Sequence, residues 1–537
     1  MLTKRLTYLL ILLAATLAGQ AQDSLLLRDY RTVRLSDAWL GTTNAAAQTR
    51  LTAPNIVEAD GCLSMSRGGL VNYDDAAKQL QASVSVVSIY RLSRRVVAYG
   101  AIGYDNWTGQ DMTGAALYSP ISTLSPFTIV EDSLTNAGDK HRDTYRLTGG
   151  VGVDLWHGVA LGARLDYTAG NYAKYKDLRH KNKLMDLRLD ASLYAPITGW
   201  LSVGADYVYH RQTQSVSFGT YGKSEKVYKS LIDYGAFMGM VEQFGNDGYT
   251  DRSREMPLFE DGHGGSLQIE LRPTDGLAIM GSGSLNHGSG YYGRQSPYTI
   301  TYTRHSRNHQ EAALAIGYRQ GSSLQRLDIA AIKEKVESSA ETYRELTNDG
   351  GAYYYEYYDP VETGNKEYKN LHVAYTALIG LHSERPTWAL TAAYDWWQRQ
   401  QVAYLYPYYR QQLLSASGLS ASIGRNLFTR HGVWSITVDG AYQKGTGDPY
   451  RDGTLATPSS RQPDPATMDA FLYREYLYLT APQYAVGAGL NYAFLLPGTN
   501  LATHIGLRIN HRKANATNDF STGRDHTTAA LTIGCTF

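Results

Sequence analysis

From about residue 56 to the C-terminus, apolar side chains alternate with polar or small ones in runs of about ten residues. The run Tyr145–Leu155 places Tyr, Leu and Val on one face and Arg, Thr, Gly and Asp on the other, and residues 159–167 repeat this after a short break. Successive side chains of a strand point to opposite faces, and a strand of a transmembrane barrel meets lipid on one face and a polar lumen on the other. The pattern therefore predicts transmembrane β-hairpins.

Short turns and long polar segments alternate between these runs. Turn signals rich in Pro, Gly, Thr and Asn occur at residues 195–200, 272–276, 384–387 and 496–500. The long polar segments cover roughly residues 106–144, 210–265, 286–308, 334–369 and 443–482. Because transmembrane barrels have short periplasmic turns and longer extracellular loops, the sequence predicts which end of each hairpin faces the periplasm.

The number of runs predicts the size of the barrel. About seventeen runs are distinct, the last being Thr527–Phe537, and single-chain bacterial barrels have an even number of strands. With residues 56–66 as a further strand, we predict an all-β fold, a transmembrane antiparallel β-barrel of about 18 strands, with 16 as the alternative. Strands of soluble sandwiches are shorter, about 5–6 residues. The terminal Phe537 resembles the C-terminal signal that the outer-membrane assembly machinery recognises.

The N-terminus indicates export. Lys4 and Arg5 precede the apolar run Leu6–Leu17, and the small residues near Ala21 suit signal-peptide cleavage after that residue. The apolar run is shorter than the roughly 20 residues that a membrane-spanning helix needs. We predict a signal peptide at residues 1–21, a periplasmic leader or partial plug at 22–55 and a barrel at 56–537. Within the leader, Asn44–Gln48 is predicted as a helical turn.

The composition agrees with a barrel. The chain has 43 Tyr and 52 Gly beside 16 Pro and 10 Phe; tyrosine suits aromatic girdles, and glycine suits an inner wall where strands twist and bend. No stretch after the signal approaches 18 consecutive apolar residues and the mean hydropathy is −0.35, which excludes a helical membrane protein. Lys plus Arg number 51 and Asp plus Glu 50, so the basic excess of a nucleic-acid-binding protein is missing.

Charged residues recur on the inward face of the predicted strands. They could line a selective path for an ion or solute, or form cross-strand ion pairs that brace the wall. The close alternation of sign favours bracing. The set comprises Arg146, Asp154, Arg164, Asp166, Asp186, Arg188, Asp190, Asp206, Glu270, Arg272 and Arg508.

Two tyrosine clusters lie in or near predicted loops. Their broad amphipathic faces could bind a glycan or a protein partner, and they could equally be girdle or loop-packing residues. The clusters are Tyr353, Tyr354, Tyr355, Tyr357 and Tyr358, and Tyr404, Tyr406, Tyr408 and Tyr409.

The two cysteines are predicted to stay unbridged. Closure of the barrel would bring the strands that carry Cys62 and Cys535 together. However, Cys62 shares its face with Glu58 and Asp60 and points to the lumen, whereas Cys535 shares its face with Phe537 and points to lipid. Their Cβ atoms would point apart, which a disulfide does not tolerate.

Catalytic and cofactor motifs are few. Residues 286–290, Asn-His-Gly-Ser-Gly, resemble the His-x-Ser element of outer-membrane phospholipases, where serine is the nucleophile and histidine its base. The resemblance covers five residues, and a chance Gly/Ser/His run is the alternative. The Gly-rich run 149–152 lies inside a strand and opens no phosphate-binding helix. No Cys/His cluster has metal-ligand spacing. We expect no enzyme activity, no metal and no cofactor.

Four segments carry a resemblance to a family. They are Trp39–Asn44, Tyr90–Gly100, Tyr104–Asn106 and Cys535–Phe537. In this order they resemble an uncharacterised outer-membrane β-barrel family of Bacteroidetes-type bacteria, a domain of unknown function. The resemblance spans nearly the whole mature chain and implies the fold and a place in the cell outer membrane, but no activity.

Together these features predict a porin-like or transporter-like outer-membrane barrel of unknown substrate. One alternative is a surface glycan- or protein-binding barrel with tyrosine-rich loops, and another is an outer-membrane lipid hydrolase. A TonB-dependent receptor would need about 22 strands and a folded plug, and so a longer chain. The expected partners are outer-membrane lipid, the assembly machinery and a glycan or small solute, and no nucleic acid.

Overall fold

The computed structural model describes residues 30–51, 55–118, 124–131, 136–222, 225–245, 256–296, 299–382, 385–499 and 501–536. The predicted signal peptide and Phe537 lie outside these residues. The strands, in chain order, are β1 (Ile56–Arg67), β2 (Lys78–Arg91), β3 (Val96–Met112), β4 (Thr128–Glu131), β5 (Gly138–Trp156), β6 (Val159–Lys174), β7 (Arg179–Pro196), β8 (Leu201–Gly219), β9 (Lys229–Gly235), β10 (Met238–Gln243), β11 (Met256–Thr274), β12 (Leu277–Ser296), β13 (Thr299–Gln320), β14 (Ser323–Ala340), β15 (Tyr343–Thr347), β16 (Tyr353–Tyr357), β17 (Val361–His382), β18 (Arg385–Leu405), β19 (Tyr408–Thr429), β20 (Gly432–Thr454), β21 (Ala466–Thr467), β22 (Gln483–Leu495), β23 (Ala502–Ala514) and β24 (Asp525–Thr536).

Eighteen of these strands form one closed antiparallel barrel. Each pairs with its neighbours along the chain, β8 pairs with β11, and β1 pairs with β24 from Glu58↔Thr536 to Arg67↔Thr527. The remaining strands belong to loops: β21, β10, β9 and β4 form a four-stranded sheet, and β15 and β16 form a hairpin. The predicted fold and strand number are confirmed, with the first strand starting at Ile56 as expected.

Tight turns join the strands at one end of the barrel, which we name the turn end; the other is the loop end. The turn between β5 and β6 consists of His157 (φ 50°) and Gly158 (φ 80°). Two consecutive residues with positive φ are typical of a type I′ turn, whose twist matches that of the flanking strands. The chain enters β1 and leaves β24 at the turn end.

The outer face of the barrel carries an apolar band between two sets of aromatic side chains. Near the turn end, the Trp434 and Tyr492 rings stack at 4.4 Å. Toward the loop end, Tyr104 lies 5.0 Å from Tyr145. Exposed Leu, Ile and Val lie between the two levels, among them Leu147, Val151, Leu161, Leu189, Ile423, Val438 and Leu490. This is the outer surface expected of a barrel embedded in a bilayer.

The loop-end segments are shorter than the sequence predicted. Segment 286–308 was wrongly predicted as a loop: β12 and β13 continue through it, and their pairing reaches Ser296↔Thr299. β18 and β19 likewise extend to Tyr404↔Tyr409. The reason is that backbone hydrogen bonds and cross-strand pairs extend a hairpin into water after the alternation required by lipid has ended.

Helical segments are short. At the N-terminus, α1 (Tyr30–Ser36) precedes two 3-10 turns, η1 (Ala38–Gly41) and η2 (Ala46–Arg50), so the helical turn predicted near Asn44–Gln48 is present. One longer helix, α2 (Asp469–Thr480), lies between β20 and β22. In the described part of the chain, no helix has the length and apolar character needed to cross a membrane.

The cysteines lie on neighbouring strands, as predicted from closure. Cys62 pairs with Thr532, and Cys535 pairs with Ala59, three residues away along β1. Positions 59 and 62 of a strand face opposite sides of the sheet. Both thiols are free.

Candidate functional site

Residues 30–51 lie inside the barrel at its turn end; we name them the inserted segment. Trp39 is fully buried, and its indole Nε1 donates to Glu270 Oε2 on β11 at 2.8 Å. Asn44 Nδ2 donates to Gln268 Oε1 at 3.1 Å and to Leu193 O at 3.0 Å. These bonds join the inserted segment to the inner faces of β7 and β11.

Further contacts fix both ends of the inserted segment. Arg326 of β14 donates to Leu35 O at 3.0 Å, and Arg91 of β2 donates to Thr49 O at 2.9 Å. Arg50 donates to Tyr194 OH at 2.5 Å. The segment thus bridges strands from distant parts of the wall.

Glycines of the wall leave room for the inserted segment. A Cβ on Gly162 would lie 2.2 Å from Ala46 N, and one on Gly152 would lie 2.4 Å from Ala45 O. At Gly204, the same atom would lie 2.8 Å from the Trp39 ring. From the sequence alone, the many glycines indicate strands that twist and bend. In the structure, these inward glycines have a more specific role, since they allow a second chain segment to approach the wall.

At the loop end, parts of three connections fold inward; we name their described residues the cap: 113–118, 124–131, 225–245 and 466–480. Ser338 donates to Pro126 O at 3.2 Å, and Lys366 donates to Ser125 O at 2.9 Å. The Ala236 amide donates to Gln401 Oε1 at 3.0 Å. Wall side chains thus hold the backbone of the cap.

Buried ion pairs attach the cap to the wall at two places. The Glu131 carboxylate forms ion pairs with Lys140, whose Nζ lies 2.7 Å from Oε1, and with Lys174. All three side chains are buried. On the other side, Arg399 of β18 binds Glu475 of α2 through both terminal nitrogens, at 2.9 and 2.7 Å. Breaking a buried pair from one side is costly because the remaining charge stays desolvated.

The cap and the wall enclose an upper cavity of about 300 Å³. Its lining spans the lumen, from β8 and β11 to β17 and β18, and includes loop residues from the cap and from the β1–β2 connection. Seven charged side chains line it: Asp74, Asp233, Glu260, Glu475, Arg307, Lys366 and Arg399. This mixture of signs suits a small polar solute better than an apolar one.

Two loop carboxyls of the upper cavity are strongly perturbed. Burial raises the pKa of Asp233 to about 6, despite the opposing effect of Lys366. Asp74 faces the cavity. Desolvation by the surrounding protein raises the pKa of its carboxyl to about 6, and the negative charges of Asp75 and Glu475 raise it further. Both carboxyls therefore lose their charge in mildly acidic solution.

The upper cavity also has a polar atom without a partner in the described residues. Gln214 is 3% exposed and its Nε2 makes no hydrogen bond within this part of the protein. An unsatisfied buried donor costs about 1–3 kcal/mol. Because Gln214 lines the cavity, an acceptor on a bound solute or a water molecule would satisfy this donor.

A lower cavity of about 370 Å³ lies between the inserted segment and the inner wall. Its lining combines small apolar residues with seven hydroxyl and amide side chains and with the charged or ionisable Arg188, His309, Glu311, Arg326 and Asp328. The uncharged polar residues are Thr42, Thr43, Ser266, Gln268, Ser282, Ser284 and Asn286. Such groups supply neutral hydrogen-bond donors and acceptors to a solute.

A charged ladder marks the boundary between the two cavities. Arg307 lines the upper cavity and His309 the lower one, and both bind Glu334, at 2.5 and 3.2 Å. Arg307 also contacts Glu260 at 2.9 Å, and the Leu124 amide of the cap donates to Glu334 at 3.1 Å. The cap is therefore bonded to the side chains that separate the cavities.

Most of the inward charges predicted from the sequence form pairs, with a geometry that differs from the expected one. Arg164 binds Asp166 at 2.7 Å, Arg188 binds Asp190 at 3.0 Å and Arg272 binds Glu270 at 2.8 Å. Each pair lies along one strand instead of across two, because side chains two residues apart share a face. Asp186 makes a contact across strands: its Oδ2 on β7 lies 2.9 Å from His210 Nε2 on β8.

The remaining predicted inward charges are spread round the wall. Asp206 accepts from Ser266 and Gln268, each at 2.6 Å. Arg508 of β23 reaches Asp439 of β20 at 2.5 Å, across the intervening strand. Arg146 pairs in register with Thr168, and Asp154 with Ala160. Of the eleven predicted residues, only Arg188 lines either of the two cavities.

The tyrosine clusters lie at the loop end but mostly in strands. Tyr353–Tyr357 form β16, where Tyr355 packs edge-on against Tyr343 at 5.6 Å, and Tyr357 OH bonds the β13 backbone. Tyr404 and Tyr409 flank the β18–β19 connection, and Tyr406 is 62% exposed. The prediction that these residues occupy loops is corrected, because the hairpins extend beyond the barrel wall.

His287 and Ser289 lie on the outer face of β12. The intervening Gly288 faces Glu260 in the lumen, so its neighbours point outward. His287 Nδ1 lies 2.8 Å from Asn308 Oδ1 on β13. Asn308 could not be recognised from the sequence pattern, because only the register between β12 and β13 places it opposite His287. Among the described residues, no group of three His, Cys, Asp or Glu is placed to bind a metal.

The sequence interpretation missed the cap. Residues 231–241 and 471–479 were included in long polar segments, although Leu231, Ile232, Phe471 and Leu472 are fully or almost fully buried. Apolar pairs of this kind inside a loop were the available signal, since a loop extending into water has no reason to contain them.

Comparison with solved structures finds barrels of low similarity. The outer membrane transporter YddB from Escherichia coli has a TM-score of 0.41 and 7% identity, covering 91% of this chain and 81% of its own. The ferric preacinetobactin receptor BauA from Acinetobacter baumannii has a TM-score of 0.40 and 8% identity, covering 90% and 80%. A TodX mutant, a monoaromatic hydrocarbon channel, has a TM-score of 0.29 and 10% identity, covering 92% of each chain. These likenesses are too distant to assign a function.

Comparison with curated proteins finds no match. A family model does match, over residues 45–537, which include all eighteen barrel strands and the end of the inserted segment. The resemblance to a family of unknown function is thereby confirmed, while the bacterial group of origin stays a prediction. The chain belongs to the family of unknown function DUF6850.

Proposed function

We propose that this protein is a gated channel of the cell outer membrane that carries a small polar solute. The observation that carries this proposal is the stacking of two polar cavities inside one barrel, between the cap and the inserted segment. The turn end faces the periplasm and the loop end faces outside, in keeping with the build of bacterial outer-membrane barrels.

The solute class follows from the cavity linings. The upper cavity offers carboxylates, a lysine, arginines and the Gln214 amide, whose Nε2 has no partner among the described residues. The polar groups of the lower cavity are seven hydroxyl and amide side chains together with Arg188, His309, Glu311, Arg326 and Asp328. Sugars, amino acids and short peptides have the hydrogen-bonding groups that such linings require, whereas an apolar solute would leave these side chains unsatisfied. The inserted segment serves as the periplasmic closure of this path.

Ion selectivity should change with pH if the path passes through the upper cavity. At pH 7.5 four acidic and three basic groups line it, a net charge of −1; with Asp74 and Asp233 neutral at pH 5, two acidic groups face three basic ones, a net charge of +1. In a KCl gradient, channels lacking residues 30–51 should therefore prefer cations at pH 7.5 and anions at pH 5, as measured by the reversal potential.

The variant Asp74→Asn/Asp233→Asn isolates the two groups. It should prefer anions at both pH values. The matched control, Asp349→Asn/Asp359→Asn, removes two exposed loop carboxyls outside the cavity and should keep the pH dependence. A double Asp74/Asp233 variant that still reverses its selectivity would show that ions bypass the upper cavity.

A second candidate function, lipid ester hydrolysis, is favoured by one contact. The oxygen of the Asn308 amide can only accept, so the bond to it places the proton on His287 Nδ1 and leaves Nε2 free as a base. Ser289, two residues along on the same face, is the corresponding nucleophile. Its hydroxyl would attack the ester carbonyl and pass its proton to His287, which would return it to the departing lipid alkoxide as the ester C–O bond breaks. Water, activated by the same histidine, would then release the fatty acid from Ser289.

Release of fatty acid from phospholipid in mixed micelles tests this candidate. Ser289→Ala should abolish the release, and Asn308→Ala should lower it by roughly 10- to 100-fold because the base loses its orientation. Ser306→Ala changes the cross-strand partner of Ser289 and should leave the rate unchanged. Equal rates in wild type and Ser289→Ala would eliminate the hydrolase candidate.

A further inference from the structure

The outer face of the barrel has a groove that the solute path does not use. It crosses β8 and β11–β14, has a volume of about 840 Å³ and is lined mainly by apolar surface. Gly283, Ala312 and Ala331 lie side by side in register and form its floor. Leu267 and Leu285, each 66% exposed, form its walls. Small floor residues between projecting leucines make a furrow about as large as a ligand pocket.

Lysines lie at one end of this groove. Gln310, Lys333 and Lys369 occupy the next outward row toward the loop end, in register across β13, β14 and β17. Glu367 is shared by Lys333, at 3.4 Å, and Lys369, at 2.6 Å. Lys335 adds a third cation, paired with Glu337 at 2.5 Å. Lys333 and Lys369 thus share a single carboxylate, whereas Lys335 has Glu337, Glu367 and Glu362 around it.

The level of the lysines matches the boundary of a bilayer. Lys333 is ten residues from Ser323, where β14 begins at the turn end. A tilted barrel strand rises about 2.5 Å per residue along the barrel axis, which places Lys333 about 25 Å above the turn end. The apolar band of an outer-membrane barrel is about 25 Å tall. The groove therefore lies at acyl-chain depth and the lysines at headgroup depth.

We propose that this groove binds one anionic, phosphate-bearing lipid of the membrane leaflet at the loop end. An acyl chain lies on the Gly283–Ala312–Ala331 floor between Leu267 and Leu285. The phosphate is held by Lys333 and Lys369, with the Gln310 amide as a further donor. The apolar length and the cationic end together match a lipid and match neither a sugar nor a protein strand. Hydrolysis is not required, so the site stands whatever the activity of Ser289.

Native mass spectrometry of the full-length protein in detergent tests the proposal. Phosphatidylglycerol and phosphatidylcholine with identical acyl chains are added separately, and the bound fraction of each is measured. We expect one tightly held phosphatidylglycerol, retained at least about fivefold more than phosphatidylcholine, since lysines near a membrane surface attract anionic lipid. Equal retention of the two lipids by the wild type would overturn the proposal.

Two variants separate the floor from the lysines. Gly283→Leu/Ala312→Leu fills the groove and should abolish the retained lipid. Its control, Gly440→Leu/Ala488→Leu, makes the same changes on the outer face of β20 and β22, six strands away, where Gly440 has as much space for a Cβ as Gly283. Retention in the groove variant equal to that in its control would contradict the site.

Lys333→Gln/Lys369→Gln leaves the floor intact. It should lower phosphatidylglycerol retention to the level of phosphatidylcholine, whereas Lys444→Gln, an exposed lysine on β20, should not. Folding of every variant is checked by the resistance of the barrel to unfolding in detergent. An unchanged lipid preference in the folded double lysine variant would also refute the proposal.

Discussion

Deleting residues 30–51 should open the barrel: in planar bilayers we expect single-channel conductance to rise roughly tenfold or more above that of the intact protein. All 18 wall strands remain in this variant, because the pairing that closes the barrel begins at Glu58. What disappears is the material that fills the turn end, including the buried Trp39 and its bond to Glu270. A barrel of this strand number without an internal segment encloses an aqueous lumen.

The matched control replaces residues 343–357, the β15–β16 hairpin, with a short Gly/Ser linker. This hairpin is similar in size to a large part of the inserted segment, but it extends from the loop end and lines neither cavity. Its removal should leave the conductance unchanged. If deletion of residues 30–51 had no effect although the barrel inserted, the narrowest part of the path would lie at the cap and the inserted segment would not be the closure.

The barrel itself could be predicted because lipid imposes a simple rule. Every outward position between the girdles must be apolar, so the alternation in β5 and β6 identifies the strands without knowledge of their partners. The same rule placed Cys62 and Cys535 on opposite faces. The rule no longer applies beyond the bilayer, where outward positions can be polar. The parts of β12 and β13 that extend past the bilayer were therefore predicted to be a loop.

The interior could not be predicted in the same way. The inserted segment is fixed by contacts such as Asn44 with Gln268, residues 224 positions apart, and no local pattern encodes such a pair. The cap depends on Arg399 meeting Glu475, again through the closed fold. Inward charges such as Arg164 and Asp166 were recognised from their parity, but parity does not tell a cavity lining from a pair along one strand.

Asn308 illustrates the same limit on the outer face. The His-x-Ser resemblance was visible in the sequence, whereas the third group came from the neighbouring strand. Register between β12 and β13 depends on where the hairpin turns, and the sequence had placed a loop in this region. An error in one loop boundary therefore hid a contact of the candidate site.

The second large effect is expected from Arg399→Ala, which should release helix α2 from the wall. Glu475 is 6% exposed and would keep a buried charge without its partner, a loss of about 3 kcal/mol in the stability of the cap. Amide hydrogens of residues 469–480 should then exchange roughly 100-fold faster, while those of the barrel strands keep their protection. Hydrogen exchange read out by mass spectrometry on the protein in detergent measures both regions at once.

Two further variants show whether the charge pair is responsible. Arg451→Ala on neighbouring β20 breaks an ion pair whose side chains are 76% and 78% exposed, and it should cost at most about 1 kcal/mol and leave α2 protected. Arg399→Ala/Glu475→Ala removes both charges and should recover much of the protection, since no unpaired charge stays buried. Unchanged exchange in Arg399→Ala would mean that the apolar contacts of Phe471 and Leu472 hold the helix alone. Opening of the cap would then not depend on this ion pair. The charges around the upper cavity would in that case bind the solute and would not control the opening of the cap.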